Sequence, residues 1–216
     1  MLRHKNLVLV GLFAIAMAYL ESAVVVYLRG MYGIVDLVRD TNFIVDVYTY
    51  IEIGREAATL IMLVMIGLIA GNTWQKKISF SILAFGVWDI FYYIWLYVFI
   101  QWPKSIFEWD ILFLIPLPWW GPVIAPVLIS LLLIAFAYLL IIETKIKITS
   151  FDWIIYSASI IIILYTFMED SLKSLISGGS NLNEIRPTDY NWIIFLVAYL
   201  SLIIISVKVF YSGRNS

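Results

Sequence analysis

Long runs of apolar residues, separated by short polar stretches, follow one another along the whole chain. A membrane-spanning helix needs about 20 mostly apolar residues, because the hydrocarbon core of a bilayer is about 30 Å thick. Runs of this length predict six spanning helices, over residues 7–28, 43–70, 78–100, 123–142, 153–176 and 192–210. The pattern therefore predicts an all-α integral membrane protein whose 216 residues form a single transmembrane helical domain.

The segment FEWDILFLIPLPWWGP, residues 107–122, is too apolar for an ordinary loop. Its three prolines forbid a straight continuous helix, because each ring removes a backbone donor and clashes with the preceding turn. Its tryptophans suit the headgroup region, where an indole keeps its N–H in contact with water. We expect an interfacial or re-entrant element that leads into the fourth span, with its backbone covered by protein or by a wet cavity.

The composition agrees with a membrane protein. The chain is 63% hydrophobic and 13% charged, with a mean hydropathy of +0.96, whereas a soluble domain carries about 25% charge. The lipid bilayer is therefore the expected partner, and other membrane subunits or a homo-oligomer stay open. A net charge of −1 without a basic stripe argues against nucleic acid.

Cysteine and histidine usage narrows the chemistry. The chain has no cysteine, which excludes disulfides, thiolate metal sites, cysteine nucleophiles and iron–sulfur clusters. His4 is the single histidine, so histidine-held haem, a histidine-based di-iron site and a Ser-His-Asp triad are excluded as well. No cofactor is expected. A hard divalent cation on carboxylates stays open, although no EF-hand or glycine-rich phosphate motif supports it.

The distribution of Lys and Arg predicts the orientation. With the N-terminus in the cytoplasm, eight of the 14 Lys and Arg residues fall in inner segments and five in outer segments, while Arg55 lies within a span. Because cytoplasmic loops are enriched in these residues, we expect a multi-pass protein of the cell membrane with both termini in the cytoplasm.

Several charged residues lie within the predicted spans at matching depths. A rise of 1.5 Å per residue places Glu21 and Glu56 both about 21 Å from the inner boundary, and Glu52 about 27 Å from it. Glu52 and Glu56 share one helix face, and Arg55 lies beside both. We therefore expect three carboxylates to meet around Arg55 in the outer third of the membrane.

This arrangement predicts an acidic pocket that opens outward, with Asp89 as its floor at about 16 Å from the inner boundary. Its other expected members, counter-ions and hydrogen-bond donors are Asp110, Glu169, Asp170, Arg29, Tyr92, Tyr93, Tyr48 and Thr59. Ionisable residues within spans cost about 2.5–3.5 kcal/mol each and usually mark function or pairing. The alternative is therefore a structural ion network in which Arg55 pairs with Glu21, Asp89 forms a plain hydrogen bond, and Asp110, Glu169 and Asp170 are solvated ends.

Three functions fit such a pocket. The favoured one is a proton- or cation-coupled carrier or permeation subunit, in which Glu21, Glu52 and Glu56 bind the cation and Asp89 relays it. A membrane enzyme that acts on a lipid or quinone-like substrate with carboxylates as acid and base is the second. An accessory or assembly subunit of a larger membrane complex is the third. Whether the protein is an enzyme stays open.

Two segments, FGVWDIFYYIWLYVFIQWP and WDILFLIPLPWWGPVIAPV, carry a resemblance. They resemble a group of multi-span prokaryotic membrane proteins with two Trp-Asp motifs, here WDIFYY and WDILFLIPLPWWGP, and a Pro- and aromatic-rich segment. The resemblance covers residues 85–127, about a fifth of the chain. It implies a discrete type of polytopic membrane protein and carries no activity.

Overall fold

Six helices are long and apolar enough to cross a membrane, as the sequence predicts. The computed structural model describes residues 2–40, 47–142, 146, 148–176 and 187–214. Within these ranges the elements are α1 (Leu2–Tyr32), α2 (Leu37–Asp40), α3 (Val47–Ala70), α4 (Trp74–Ile100), β1 (Trp109–Ile111), β2 (Trp120–Pro122), α5 (Ile124–Ile142), α6 (Ser150–Ile176) and α7 (Trp192–Arg214). The chain is thus an all-α multi-pass membrane protein. The first residues of the predicted second span, 43–46, lie outside the described part.

Local capping sets the ends of the central helix, α4. The side chain of Thr73 accepts a hydrogen bond from the backbone N–H of Lys76 at 3.3 Å, which satisfies one of the free donors of the first turn. At the other end Gln101 adopts a left-handed conformation with φ of 54°, and its N–H returns to the carbonyl of Tyr97. Such a residue ends a helix because the chain leaves the helical axis there.

Helix α4 is the centre of the packing, since α1, α3 and α5 all pack against it. Two glycines allow the close approach. A Cβ on Gly67 of α3 would overlap Ser81 of α4, and a Cβ on Gly86 of α4 would lie 2.9 Å from the carbonyl oxygen of Ser130 on α5. Small residues at such crossings let helix backbones approach closely in lipid. Helices α6 and α7 form a second packing unit beside this one.

The buried side chains form two apolar clusters. One joins α1, α3, α4 and α5 around Phe80 and Leu83, and the other joins α5, α6 and α7 around Phe167 and Phe195. Helix α5 contributes to both clusters and holds the two units together. Many large apolar side chains remain exposed, among them Ile69 at 80%. A belt of exposed apolar residues is what lipid contact requires.

The Pro- and Trp-rich segment forms an antiparallel β-hairpin, residues 109–122, in which Trp109 pairs with Pro122, Asp110 with Gly121 and Ile111 with Trp120. This is the non-helical element predicted for the segment. A hairpin pairs much of its backbone internally, which non-helical chain needs where water is scarce. We call the end of the bundle that holds the hairpin the hairpin end, and the other the opposite end. Helix α1 ends and α3 begins at the hairpin end.

The hairpin is held against α6. The hydroxyl of Ser171 donates a hydrogen bond to the carbonyl of Pro118 at 2.6 Å. Gly121 packs so closely on Phe167 that a Cβ at this position would lie 2.8 Å from the ring. The hairpin therefore closes the hairpin end of the space between the two packing units.

Candidate functional site

A cavity of about 1060 Å³ lies between the two packing units. Helices α1, α3, α4, α5 and α6 form most of its walls, and the hairpin lies at one end of it. Ligand pockets typically have volumes of about 300–1,000 Å³, so this cavity is slightly larger than that range. In the described chain, α3 and α6 face each other across the cavity without an extended contact. We call this gap between α3 and α6 the seam.

Polarity is distributed unevenly along the cavity. Gln75 and Tyr93 both line it and are eighteen residues apart on α4, so it extends about 27 Å along this helix. Towards the opposite end the walls are mostly apolar, with side chains such as Ile82, Leu133 and Ile160. The charged residues that line it gather towards the hairpin end: Glu21, Arg29, Asp40, Glu52, Arg55, Glu56, Asp89 and Asp110. The cavity thus combines a charged end with a long apolar body.

Arg55 of α3 lies between two carboxylates. One guanidinium nitrogen pairs with Glu21 of α1, and the other two donate to Glu52, with Nε at 2.9 Å from Oε2. The hydroxyl of Thr59 donates to Glu21 at 2.9 Å. The sequence predicted that these residues would lie close together. Their arrangement is that of the alternative interpretation, a structural ion network in which Arg55 pairs with Glu21. Glu21 is a partner of Arg55 and not a lone carboxylate.

Glu56 connects α3 to the hairpin. Both of its carboxylate oxygens accept a hydrogen bond from the backbone N–H of Leu114, at 3.1 and 3.0 Å. It is buried, at 5% exposure. Among the described residues it forms no ion pair of its own, since the guanidinium groups nearby belong to other pairs. Glu56 is therefore a carboxylate held by a single backbone donor.

Arg29 and Asp110 form a second charged pair at the hairpin end. Arg29 Nη2 lies 3.6 Å from Asp110 Oδ1, and the guanidinium stacks 3.9 Å from the centre of the Trp102 ring. The side chain of Tyr93 lies near the same carboxylate. Asp110 lies outside the spanning helices, and burial raises its pKa to about 6 while Arg29 opposes this shift. Asp110 is thus buried between a cation and a phenol and is not the solvated end considered above.

Asp89 lies below these groups, where α4 meets α5. Ser130 of α5 donates a hydrogen bond to Asp89 Oδ2 at 2.8 Å. The close approach of the helices at Gly86, one turn earlier, brings Ser130 within reach. The structure therefore agrees with a plain hydrogen bond for Asp89, although its donor is a serine that the sequence did not single out. Tyr92, on the same helix, lines the cavity and packs on Tyr93 with ring centres 5.0 Å apart.

Two predicted members of the pocket lie elsewhere. Glu169 pairs with Lys173 on its own helix at 2.8 Å, and Asp170 accepts a hydrogen bond from the hydroxyl of Thr188 at 3.0 Å. Neither lines the cavity. Helix α6 packs on α7 and β2, and this rotation directs the two acids away from α1 and α3. Both acids are therefore bonded outside the cavity, and the side chain of Glu169 is only 14% exposed.

A polar cluster at the opposite end was not predicted. Asp152 accepts hydrogen bonds from the backbone N–H and the hydroxyl of Thr149, at 2.9 and 2.8 Å, and pairs with Lys208 of α7 at 2.6 Å. The hydroxyl of Thr149 accepts in turn from the backbone N–H of Asp152 at 3.3 Å. The spacing Thr-x-x-Asp before an apolar run, which is typical of a capping box, could have revealed it.

Within the described ranges, no group of three or more His, Cys, Asp or Glu side chains is arranged to hold a metal ion. The carboxylates at the hairpin end instead bond to arginine, serine, threonine and backbone donors. What this arrangement offers is a set of hydrogen-bonding and proton-accepting groups at one end of an apolar space.

No family model, no curated protein and no solved structure matches the chain. The resemblance carried by residues 85–127 therefore stays a prediction. The geometry of the cavity is the basis for the function proposed next.

Proposed function

We propose that the protein binds one long-chain lipid or quinone-like molecule in the cavity and acts on its polar end. The observation that carries this proposal is the distribution of polarity, with charged residues at the hairpin end and apolar walls along the rest. An amphiphile has the same distribution. Its chain would bury apolar surface, worth about 25 cal/mol per Å², while its polar end reached the charged side chains.

Glu56 and Asp89 are the carboxylates that we assign to proton transfer. Each is held by one donor, the N–H of Leu114 or the hydroxyl of Ser130, and neither forms an ion pair within the described residues. A positioned carboxylate next to a substrate can serve as general acid or base. Glu21 and Glu52 instead hold Arg55 in place, so we assign them a positioning role.

The test is lipid analysis of the purified protein. We expect mass spectrometry of material purified in mild detergent to find an enriched amphiphile at close to one molecule per chain. Leu133→Trp places a large ring on a wall of the cavity and should reduce this amount severalfold. Leu131→Trp is the matched control, because Leu131 lies on the same helix but is exposed and outside the cavity. No enriched amphiphile, or the same amount in both variants, would overturn the proposal.

A proton- or cation-coupled carrier is the second candidate. It is favoured by the position of Asp89, which lies deeper than Glu56 in one cavity that follows much of α4. In this proposal Asp89 relays the cation from the carboxylates of the hairpin end. The measurement is flux into proteoliposomes under an imposed proton gradient, comparing wild type with Glu21→Gln/Asp89→Asn. An unchanged flux in the double variant would remove this candidate.

For orientation, we propose that the protein resides in the cell membrane with both termini in the cytoplasm and the hairpin end outside. The excess of Lys and Arg in the short segments of the opposite side supports this. The chain has no cysteine, so a single introduced thiol reports its own location. Ser105→Cys, exposed near the hairpin, should react with a membrane-impermeant reagent in intact cells. Asn72→Cys, exposed at the opposite end, should react only after permeabilisation, and the reverse pattern would invert the orientation.

A further inference from the structure

Buried polar atoms at the hairpin end of the cavity have no hydrogen-bond partner among the described residues. They include Nε and Nη2 of Arg29 and Oδ2 of Asp110. Arg29 is 8% exposed and Asp110 2% exposed, and both residues line the cavity. The pair is held at 3.6 Å between Nη2 and Oδ1, which is longer than a hydrogen bond. Two donors and one acceptor are thus left side by side and buried, in two residues that line the cavity.

Two further donors line the same cavity. The indole N–H groups of Trp88 and Trp119 also lack an acceptor within the described chain. More than about 90% of buried polar groups in proteins are hydrogen bonded, because leaving one unpaired is costly. Several such groups around one space therefore point to a ligand that contributes mainly oxygen acceptors and at least one donor.

The charge of the cavity restricts the ligand further. Six acidic and two basic residues line it, and no lysine does so within the described ranges. All three guanidinium nitrogens of Arg55 are engaged by Glu21 and Glu52. A phosphate or carboxylate headgroup would add negative charge to an acidic surface without a free cation to neutralise it.

The hydrogen-bonding capacity of each chemical group decides which polar end of the ligand fits these residues. An ammonium group only donates, so it would leave Arg29 and both indoles unpaired. A phosphate dianion or an ionised carboxylate only accepts, so it would leave Asp110 unpaired. A hydroxyl group both donates and accepts. We propose that Arg29 and Asp110 bind an uncharged hydroxyl group at the polar end of the amphiphile, an alcohol or a quinol, with Asp110 accepting from it and Arg29 donating to it. This inference rests on the proposed function, since it names the chemical class of the molecule held in the same cavity.

A headgroup series with one common chain tests the inference on the unmodified protein. Farnesol, farnesylamine and farnesyl monophosphate differ only at the polar end, and a short-chain isoprenoid quinol with its quinone forms a second series. Binding to the full chain in nanodiscs would be measured by native mass spectrometry. We expect the alcohol to bind at least about tenfold more tightly than the amine and the phosphate, which is the effect of a hydrogen bond to a charged group. If the natural ligand is a quinol, the quinol should bind more tightly than its quinone. If the natural ligand is an alcohol, farnesol should bind more tightly than both.

Variants connect the preference to the two residues. Asp110→Asn should weaken binding of the preferred hydroxyl probe about tenfold, and Arg29→Lys, which keeps the charge but removes the planar donor fork, should do the same. Asp170→Asn, an acid outside the cavity, is the matched control and should bind as wild type does. A preference for the amine or phosphate, or equal binding of all probes, would overturn the hydroxyl assignment while the lipid-binding function survived. Failure of every probe to bind, with no copurified amphiphile, would overturn both.

Discussion

Buried carboxylates occur at both ends of the bundle, but their surroundings satisfy them to different degrees. At the opposite end Asp152 accepts from Thr149 twice and from Lys208 once, so both of its oxygens are bonded. Among the described residues at the hairpin end, Asp110 keeps one oxygen without a hydrogen bond and Asp89 accepts a hydrogen bond from Ser130 alone. The fully bonded acid completes a helix cap. The incompletely bonded acids face a cavity and retain capacity for a ligand.

The two packing units also differ in how closely their helices approach α4. Helices α1, α3 and α5 approach α4 closely, whereas α6 and α7 pack on each other and reach the rest mainly through α5 and the hairpin. The charged groups that meet around Arg55 come from the tightly packed unit. Rigid packing holds these groups in place, and the seam beside them leaves space. This division of roles can be tested by mutation in three steps of decreasing effect.

The largest effect is expected for Arg55→Leu. This change leaves Glu21 and Glu52 buried without their counter-ion, which should lower the free energy of unfolding by about 3–5 kcal/mol. Equilibrium unfolding in mixed micelles would measure it. Adding Glu21→Gln and Glu52→Gln to the same variant should restore much of the loss, because no unpaired charge then remains. If the triple variant is no more stable than Arg55→Leu, the network does not stabilise the fold by charge pairing.

An intermediate effect is expected for Gly67→Leu. A side chain at this position would overlap the backbone of Ser81, so α3 must move away from α4 at a cost of about 1–3 kcal/mol. Gly54→Ala on the same helix is the control, because nothing lies within 4 Å of its added Cβ. That change should stabilise α3 by about 0.5–1 kcal/mol. Equal unfolding free energies for the two variants would contradict close packing of α3 on α4.

The smallest effect is expected for Asp152→Asn at the opposite end. It weakens the cap of α6 and removes the pair with the half-exposed Lys208, and exposed pairs contribute little. Thermal unfolding in detergent should show a smaller decrease than for Gly67→Leu, with the bound amphiphile unchanged. A loss of amphiphile in Asp152→Asn would show that the two ends of the bundle are not independent.

Much of the architecture was predictable because it follows from length and periodicity. Six apolar runs predicted six spanning helices, and three prolines predicted the non-helical segment. Helical rise placed Glu21 and Glu56 at one depth and Glu52 about 6 Å further out, with Arg55 beside both glutamates of its helix. This sufficed to predict that Glu21, Glu52 and Arg55 lie close together. The single-domain description stays a prediction.

What could not be predicted depends on rotation and on pairing between distant segments. Rise gives depth but not the direction in which a side chain points, which is why Glu169 and Asp170 were expected in the pocket and lie elsewhere. The bond from Ser130 to Asp89 depends on the α4–α5 crossing. Leu114 contributes only its backbone N–H to Glu56, so its side chain gave no signal. Arg29 was expected only as an additional counter-ion.

The hairpin is fastened to both sides of the seam, to α3 through the N–H of Leu114 on Glu56 and to α6 through Ser171 on Pro118. The hairpin therefore covers this end of the cavity and is held in place on both sides. A lipid chain could not enter past the hairpin without breaking both hydrogen bonds, whereas α3 and α6 form no extended contact with each other in the described chain. If the proposed function is correct, the lipid would enter the cavity laterally from the bilayer, between α3 and α6, without passing through water.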